Sequence, residues 1–267
     1  MWLTTGRQAM VWLPNSGVVV EVMNLTIDIG NTNLKVGLFD GDKLVETWIC
    51  SSESAEGFEN FVNGHPVKKA IWVSTRELSP QVKRVFEAFK FPLLALDKDT
   101  PLPIVNGYQT PATLGYDRIA AAVGAYTLAP GCPLLLIDCG TCITYDFVDA
   151  TGVYRGGNIS PGLEMRLKAL HEFTSRLPLI PVLECKMGTE MFGNSTLSAI
   201  AQGVVRGLAM EMNGYIRSMK EECPDARVYS ASQFDVLWGL QKDNQIICEP
   251  HLVLKGLHSI LQYNSKN

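Results

Sequence analysis

The chain has 267 residues, 46% of them hydrophobic and 19% charged, with a formal net charge of −4. That composition belongs to a folded chain with a sizeable core, built as one large domain or two lobes, and excludes wholesale disorder. The mildly acidic balance gives no basic patch for nucleic acid or an anionic membrane, and no apolar run reaches membrane-spanning length, so neither partner is expected.

Residues 1–22 show little periodicity and carry the turn signal Pro14-Asn15-Ser16-Gly17 without a continuous apolar run of secretory length. They read as an N-terminal extension, an accessory segment or the product of an upstream start. Apolar runs at 25–29 and 34–39, separated by Gly30-Asn31-Thr32-Asn33, then predict a tight β-hairpin. Asp28 interrupts the first run beside the turn, where a buried carboxylate is costly unless a cation or hydrogen bonds meet it. Gly30 admits close backbone approach, and Asn31, Thr32 and Lys35 add donors, a combination suited to a phosphate with its metal.

Alternation over 43–49 predicts a third antiparallel strand. A short helix is expected over 55–62 with Ser54 as its cap, then a buried strand over 69–74. Ser79 and Pro80 open a helix carrying Val82, Val85, Phe86 and Phe89, and a strand follows at 93–96. Residues 97–113, rich in Pro, Asp, Thr and Gly, are expected to be a functional loop between lobes.

The Ala-rich stretch 114–129 predicts a well-packed helix. Residues 134–149 then repeat the opening plan, an apolar strand, the turn Asp138-Cys139-Gly140-Thr141, and an outgoing strand. Asp28 and Asp138 stand 110 positions apart, too far for a solenoid repeat and suited to two lobes on one plan. The competing reading is two unrelated hairpins whose aspartates merely shape turns. Beyond them lie a short strand near Val153, a Gly-rich turn at 155–162, a helix at 163–173 and one long helix at 195–222. The tail reads as a strand at 227–230, a helix near 234–240, a short strand at 246–248 and a helix at 252–261.

Seven cysteines, an odd number in a long chain, argue against a secreted disulfide framework and fit a reducing cytoplasm. Cys139 and Cys142 have the spacing of a redox or zinc half-site, but no second pair or nearby histidine pair completes it.

Two facing Asp-x-Gly hairpins with the Gly-rich turn between lobes form a phosphate clamp in principle. The layout resembles the acetate and sugar kinase, Hsp70 and actin superfamily. The implied fold is α/β, with two actin-like, ribonuclease H-like lobes over 23–113 and 114–267, each a mixed sheet with flanking helices. Within it, Asp28-Ile29-Gly30-Asn31-Thr32-Asn33-Leu34-Lys35, Gly115-Tyr116-Asp117-Arg118, Asp138-Cys139-Gly140-Thr141 and Gly156-Gly157-Asn158-Ile159-Ser160-Pro161-Gly162 resemble type III pantothenate kinase. The resemblance runs from Met23 to Leu252-Val253-Leu254-Lys255-Gly256-Leu257.

The resemblance implies an ATP-dependent kinase that phosphorylates the terminal hydroxyl of pantothenate, the entry step of coenzyme A synthesis, as a cytoplasmic homodimer. Asp28, Ile29, Gly30, Asn31, Thr32, Asn33, Leu34 and Lys35 would hold the ATP phosphates, with Thr141 contacting them from the second hairpin. Asp138 would bind a monovalent cation, K+ or NH4+, while Mg2+ accompanies ATP. Tyr108, Gly115, Tyr116, Asp117, Arg118 and Thr174 would contact pantothenate, and Asp117 would be the general base.

Chemistry makes these roles sensible, since phosphoryl transfer to an alcohol needs charge neutralisation, in-line positioning and a proton acceptor. Asp117 opens a helix, where a carboxylate is favoured, and Arg118 offers paired donors to a carboxylate or phosphate. The plainer readings are a surface ion pair for Asp117 and Arg118, a packing aromatic for Tyr108, and a helix-end hydroxyl for Thr174. One stretch departs from the family's Gly-Gly turn, Tyr229-Ser230-Ala231-Ser232-Gln233. That departure keeps open a non-catalytic pantothenate-binding or regulatory homologue, and another small-molecule kinase of the superfamily is the third reading.

Overall fold

The computed structural model describes residues 22–185, 188, 190–232 and 245–265; the expected N-terminal extension, the expected helix near 234–240 and Gln233 lie outside the described residues. The chain divides into two compact units, one reaching Pro101 and including Leu257–Asn267, the other Leu102–Gly256.

The first unit is built on a sheet of order β3-β2-β1-β4-β5. Strands β1 (Met23–Ile29), β2 (Asn33–Asp40) and β3 (Lys43–Ser51) form the expected antiparallel meander. Strands β4 (Val67–Ser74) and β5 (Leu93–Ala95) add in parallel beside β1. Alternation sends Leu25, Ile27, Ile29, Leu34, Val36 and Leu38 into one core with Phe58 and Val62 of α1 (Phe58–Asn63) and Val82 and Val85 of α2 (Pro80–Ala88). Asp28, paired in register with Lys35, therefore belongs to the other face, as does Phe39, on which His258 stacks at 4.1 Å.

Helix α2 begins as its sequence predicts, with Ser79 Oγ accepting from Val82 N at 3.3 Å and Pro80 in the first turn. Helix α1 starts three residues later than expected. Ala55 and Gly57 both take positive φ, +48° and +77°, so the chain cannot be helical before Phe58.

The second unit has a sheet of order β11-β10-β7-β8-β9-β6. Strands β7 (Leu134–Cys139), β8 (Cys142–Val148) and β9 (Val153–Pro161) repeat the meander, and β10 (Arg227–Ser230) and β11 (Ile247–Cys248) add in parallel beyond β7. The order and directions from β9 to β11 match those from β3 to β5, so the duplicated plan read from the two hairpins is present. An additional strand, β6 (Val105–Asn106), pairs with β9. The expected division at 113/114 thus falls inside this unit.

The Gly-rich stretch is a strand, not the expected turn. Gly157 lies opposite Asp146 in register, and a Cβ there would stand 2.0 Å from the Tyr145 carbonyl oxygen. Its glycine serves close approach of two strands rather than chain reversal. Helix α3 (Tyr116–Leu128) packs on one face of the sheet, with Arg118 reaching Asp146 of β8. On the other face, Leu135, Ile137, Ile143 and Tyr145 pack with α4 (Leu163–Glu172), α5 (Thr196–Ala201) and α6 (Gly207–Glu222).

The long helix expected over 195–222 is present but broken by a π-helical turn at Gln202–Arg206, and Ser195 caps it reciprocally with Ser198. The last helix, α7 (Leu252–Tyr263), crosses α3 at backbone contact. A Cβ on Gly256 would lie 1.7 Å from the Ala120 carbonyl oxygen.

Candidate active site

In the first unit the turn after β1 is pinned from two neighbouring strand ends. Ser52, buried beyond β3, donates its hydroxyl to Gly30 O at 2.8 Å and its amide to Thr32 O at 3.0 Å. Thr75, beyond β4, donates its amide to Ile29 O at 3.0 Å. Ile29 and Leu34 are core residues that supply backbone, while Asn31, Thr32 and Asn33 are exposed. Among the described residues, the exposed amides of Asn31 and Thr32 meet no protein acceptor, an arrangement suited to an anion.

The second hairpin is built alike. Asp138 pairs with Thr144 in register, and by alternation both lie on the same sheet face as Asp146. Gly162 seats the start of α4 on this turn, donating to Thr141 O at 3.1 Å, and a Cβ there would come within 2.5 Å of that oxygen. Cys139 packs with the α4–α6 core, whereas Cys142 belongs to the opposite face, so strand geometry separates the two thiols.

Asp117 sits in the first turn of α3, which Gly115 caps without a side chain. A Cβ at Gly115 would lie 2.5 Å from Asp117 Oδ1, so the glycine makes room for the carboxylate to fold back over the helix start. Burial lifts the Asp117 pKa above its ordinary value. The Asp146 charge adds to this, while the Arg118 amide, the Arg118 charge and Asp117's own amide oppose it. A half-buried carboxylate lifted this way is a stronger proton acceptor than an ordinary one.

Arg118 turns inward. Its Nε and Nη2 donate to Asp146 Oδ1 at 2.9 and 2.6 Å, and the Tyr154 hydroxyl donates to the same oxygen at 2.6 Å. Arg118 and Asp146 are 8% and 2% exposed, so each charge is tolerated only because the other meets it. The Tyr108 ring lies 6.2 Å from that of Tyr154.

Thr174 follows α4 and spends its hydroxyl locally, donating to Leu170 O at 2.6 Å and accepting from Leu177 N at 3.4 Å. It lines an apolar groove of about 850 Å³ with Leu170, Phe173, Leu177 and Ile200. This groove is on the α4–α6 side of the sheet. Tyr145, reaching Glu211 of α6 at 2.8 Å, and its neighbour Asp146, reaching Arg118 of α3, point to opposite faces.

The family profile described as type III pantothenate kinase matches residues 24–218. A type III pantothenate kinase of Bacteroides fragilis is 47% identical over 243 residues, covering 91% of this chain and 99% of that protein. One from Phocaeicola vulgatus is 43% identical over 244 residues, covering 91% and 100%. This chain belongs to the type III pantothenate kinase family. Its activity is the ATP-dependent phosphorylation of pantothenate in coenzyme A biosynthesis.

Solved structures share the fold. A Baf family protein from Campylobacter jejuni superposes with TM-score 0.58 at 21% identity, covering 91% of this chain and all of that one. The activator of 2-hydroxyisocaproyl-CoA dehydratase from Clostridium difficile, solved with bound ADPNP, gives 0.51 at 12% identity, covering 92% and 97%.

Of the residues the sequence proposes for this kinase, Tyr108, Gly115, Tyr116, Asp117 and Arg118 gather beside the start of α3 on the α3 face of the second sheet. Asp138 projects to that same face from β7, with Thr141 in the turn beyond it. Thr174 does not join them within one chain. Arg118 also differs from its expectation of presenting paired donors, because Nε and Nη2 are occupied by Asp146. Asp146 and Tyr154 escaped the sequence reading, although a lone aspartate in the apolar run after Thr144 is the same signal that singled out Asp28. The glycine-free stretch after β10 makes its bend with hydroxyls, Ser232 N donating to Ser230 Oγ at 3.3 Å.

Proposed function

We propose that Asp117 is the general base of this kinase, taking the proton from pantothenate's terminal hydroxyl as it attacks the γ-phosphate of ATP. The observation that carries this reading is the position of the Asp117 carboxylate, folded over the start of α3, raised in pKa by burial and backed by the Arg118–Asp146 pair. Tyr108, Gly115, Tyr116 and Arg118 then shape the pantothenate pocket around it. Asp28 to Lys35 hold the ATP phosphates through turn amides, with Lys35 supplying charge and Thr141 a second contact.

Mg2+ would arrive on the ATP phosphates and supply charge neutralisation there. Asp138 would hold the monovalent cation, K+ or NH4+, on the face it shares with Asp146. We place the reaction in the cytoplasm.

A homodimer completes the reading. Thr174 and Asp117 belong to opposite faces of one sheet, so a pantothenate that touches both requires Thr174 from a second copy. The exposed apolar groove around Thr174, with Phe173 85% exposed, is the surface that copy would cover.

The deciding experiment measures ADP release from Mg-ATP and pantothenate, with K+ or NH4+ present and then absent. Release that requires pantothenate and the cation is expected; release independent of the cation removes Asp138 from its role. For the dimer, Asp117→Asn and Thr174→Arg proteins, each inactive alone, are mixed under exchange. Two-fold symmetry predicts recovery to about a quarter of wild-type activity, and no recovery would place Thr174 in cis or outside the site.

A further inference from the structure

Every carbonyl of the turn after β1 accepts a hydrogen bond from the protein. Besides the donors from Ser52 and Thr75, Gly30 N donates to Asn33 O at 2.9 Å, and Arg76 Nη1 donates to Asn31 O at 3.1 Å. With its oxygens so engaged, the turn leaves the exposed amides of Asn31 and Thr32 without a protein acceptor among the described residues. Arg76 is the one cationic side chain among these donors, and neither composition nor motif pointed to it.

Its placement is fixed by the chain. Arg76 stands two residues past β4, the parallel neighbour of β1, at the carboxyl edge of the strands where ligands of α/β sheets gather. Ser74 Oγ holds its backbone on both sides, accepting from Arg76 N at 3.3 Å and donating to Arg76 O at 2.7 Å. The guanidinium itself is lightly committed. Among the described residues, its contacts are the Asn31 carbonyl and a 3.9 Å ion pair with Glu53, whose side chain is 79% exposed. An exposed pair of that length contributes little and yields readily to a polyphosphate. A planar fork whose Nη1 holds the turn, while Nε and Nη2 make no hydrogen bond among the described residues, is suited to phosphate oxygens.

We infer that Arg76 is a second cation of the nucleotide-phosphate site beside Lys35, fixing the turn through the Asn31 carbonyl and offering its remaining N–H groups to the polyphosphate of ATP and ADP. The inference rests on the reading of Asp28 to Lys35 as the phosphate hairpin. It extends that site beyond the residues of the family motif.

The test uses the full chain with Mg-ADP as calorimetric probe and steady-state kinetics in Mg-ATP. Arg76→Ala weakens Mg-ADP and raises KM for Mg-ATP about ten- to a hundredfold, the range of a charge-assisted hydrogen bond, while KM for pantothenate stays within about twofold. Arg76→Lys, which returns the charge without the fork, recovers part of the lost affinity. Ser52→Ala, which loosens the brace and leaves the charge, moves the same constants by less. A residue that merely supported folding would lower the melting temperature and the fraction of active enzyme without changing KM.

An Arg76→Ala protein that binds Mg-ADP within about twofold of wild type overturns the inference. Lys35→Ala separates the two levels of the argument. If it also leaves Mg-ADP binding intact, the hairpin assignment has failed, whereas a silent Arg76→Ala beside a defective Lys35→Ala sinks Arg76 alone.

Discussion

Asp146→Ala removes the one oxygen that accepts from Arg118 twice and from Tyr154 once. Truncating one member of a buried pair costs about 3–5 kcal/mol, because the surviving charge is left without a partner in a poor solvent. The stranded Tyr154 hydroxyl adds about 1 kcal/mol or more. Water entering the vacated space offsets part of this, so a net loss of about 4 kcal/mol is expected. For a chain of this size that corresponds to a melting temperature lower by about 8–16 °C. Tyr154→Phe removes one donor of three and should cost only about 1 kcal/mol. The double replacement Arg118→Met with Asp146→Leu fills the space with apolar groups, and it should destabilise less than Asp146→Ala alone. Urea unfolding of the three proteins, followed by circular dichroism with matched slopes, gives the comparison. An Asp146→Ala loss below about 1 kcal/mol would mean that the pair is solvated. A double replacement worse than the single one would mean that its value lies in something other than mutual neutralisation.

Asp117→Asn should leave pantothenate binding intact and lower turnover at least about a hundredfold, the low end for a lost general base; near-normal turnover removes it from that role. Because burial raises the Asp117 pKa and the base works deprotonated, kcat/KM should fall with decreasing pH through a value above the ordinary carboxylate range near 4, and an acid limb at or below that range contradicts the assignment. Asp28→Ala should weaken the use of Mg-ATP, seen as a shifted dependence on both metal and nucleotide, and an unchanged dependence on both counts against its place in the site. Gly157→Ala drives a methyl against the Tyr145 carbonyl and the Arg118–Asp146 pair, and soluble protein of wild-type stability would show that β8 and β9 can separate there. His258, buried on Phe39, has its pKa lowered, chiefly by burial, with Asp42 opposing. Its unfolded form therefore takes up a proton first, so its contribution to stability is full above about pH 6.5 and is lost as pH falls. A urea midpoint whose fall below pH 6.5 is the same in wild type and His258→Phe would refute this.

The first hairpin, the meander after it, the start of α2 at Ser79-Pro80, and the second hairpin were all legible in the sequence. Each is specified by neighbours a few residues away, through alternation, a turn residue or a cap. The motif from Gly115 to Arg118 and the two Asp-x-Gly turns were legible for the same reason, since their chemistry is carried by adjacent residues. Local signals failed wherever a distant partner decides. Gly157 looks like part of a turn until β8 lies against it and the space for a side chain disappears. Helix 195–222 keeps its apolar spacing through Gly203, Gly207 and Gly214, and its π turn shows only in the folded chain. Arg118 looks like a ligand-binding cation until Asp146, 28 positions on, takes two of its donors. Thr174 carries the right residue type, but its distance from Asp117 follows from which face of the sheet α4 covers. The residues from Leu257 onward join the unit that begins the chain, a closure across nearly the full sequence that no short window contains. Backbone pattern is encoded locally, whereas burial, charge neutralisation and the face on which a group stands are properties of segments brought together only by the fold.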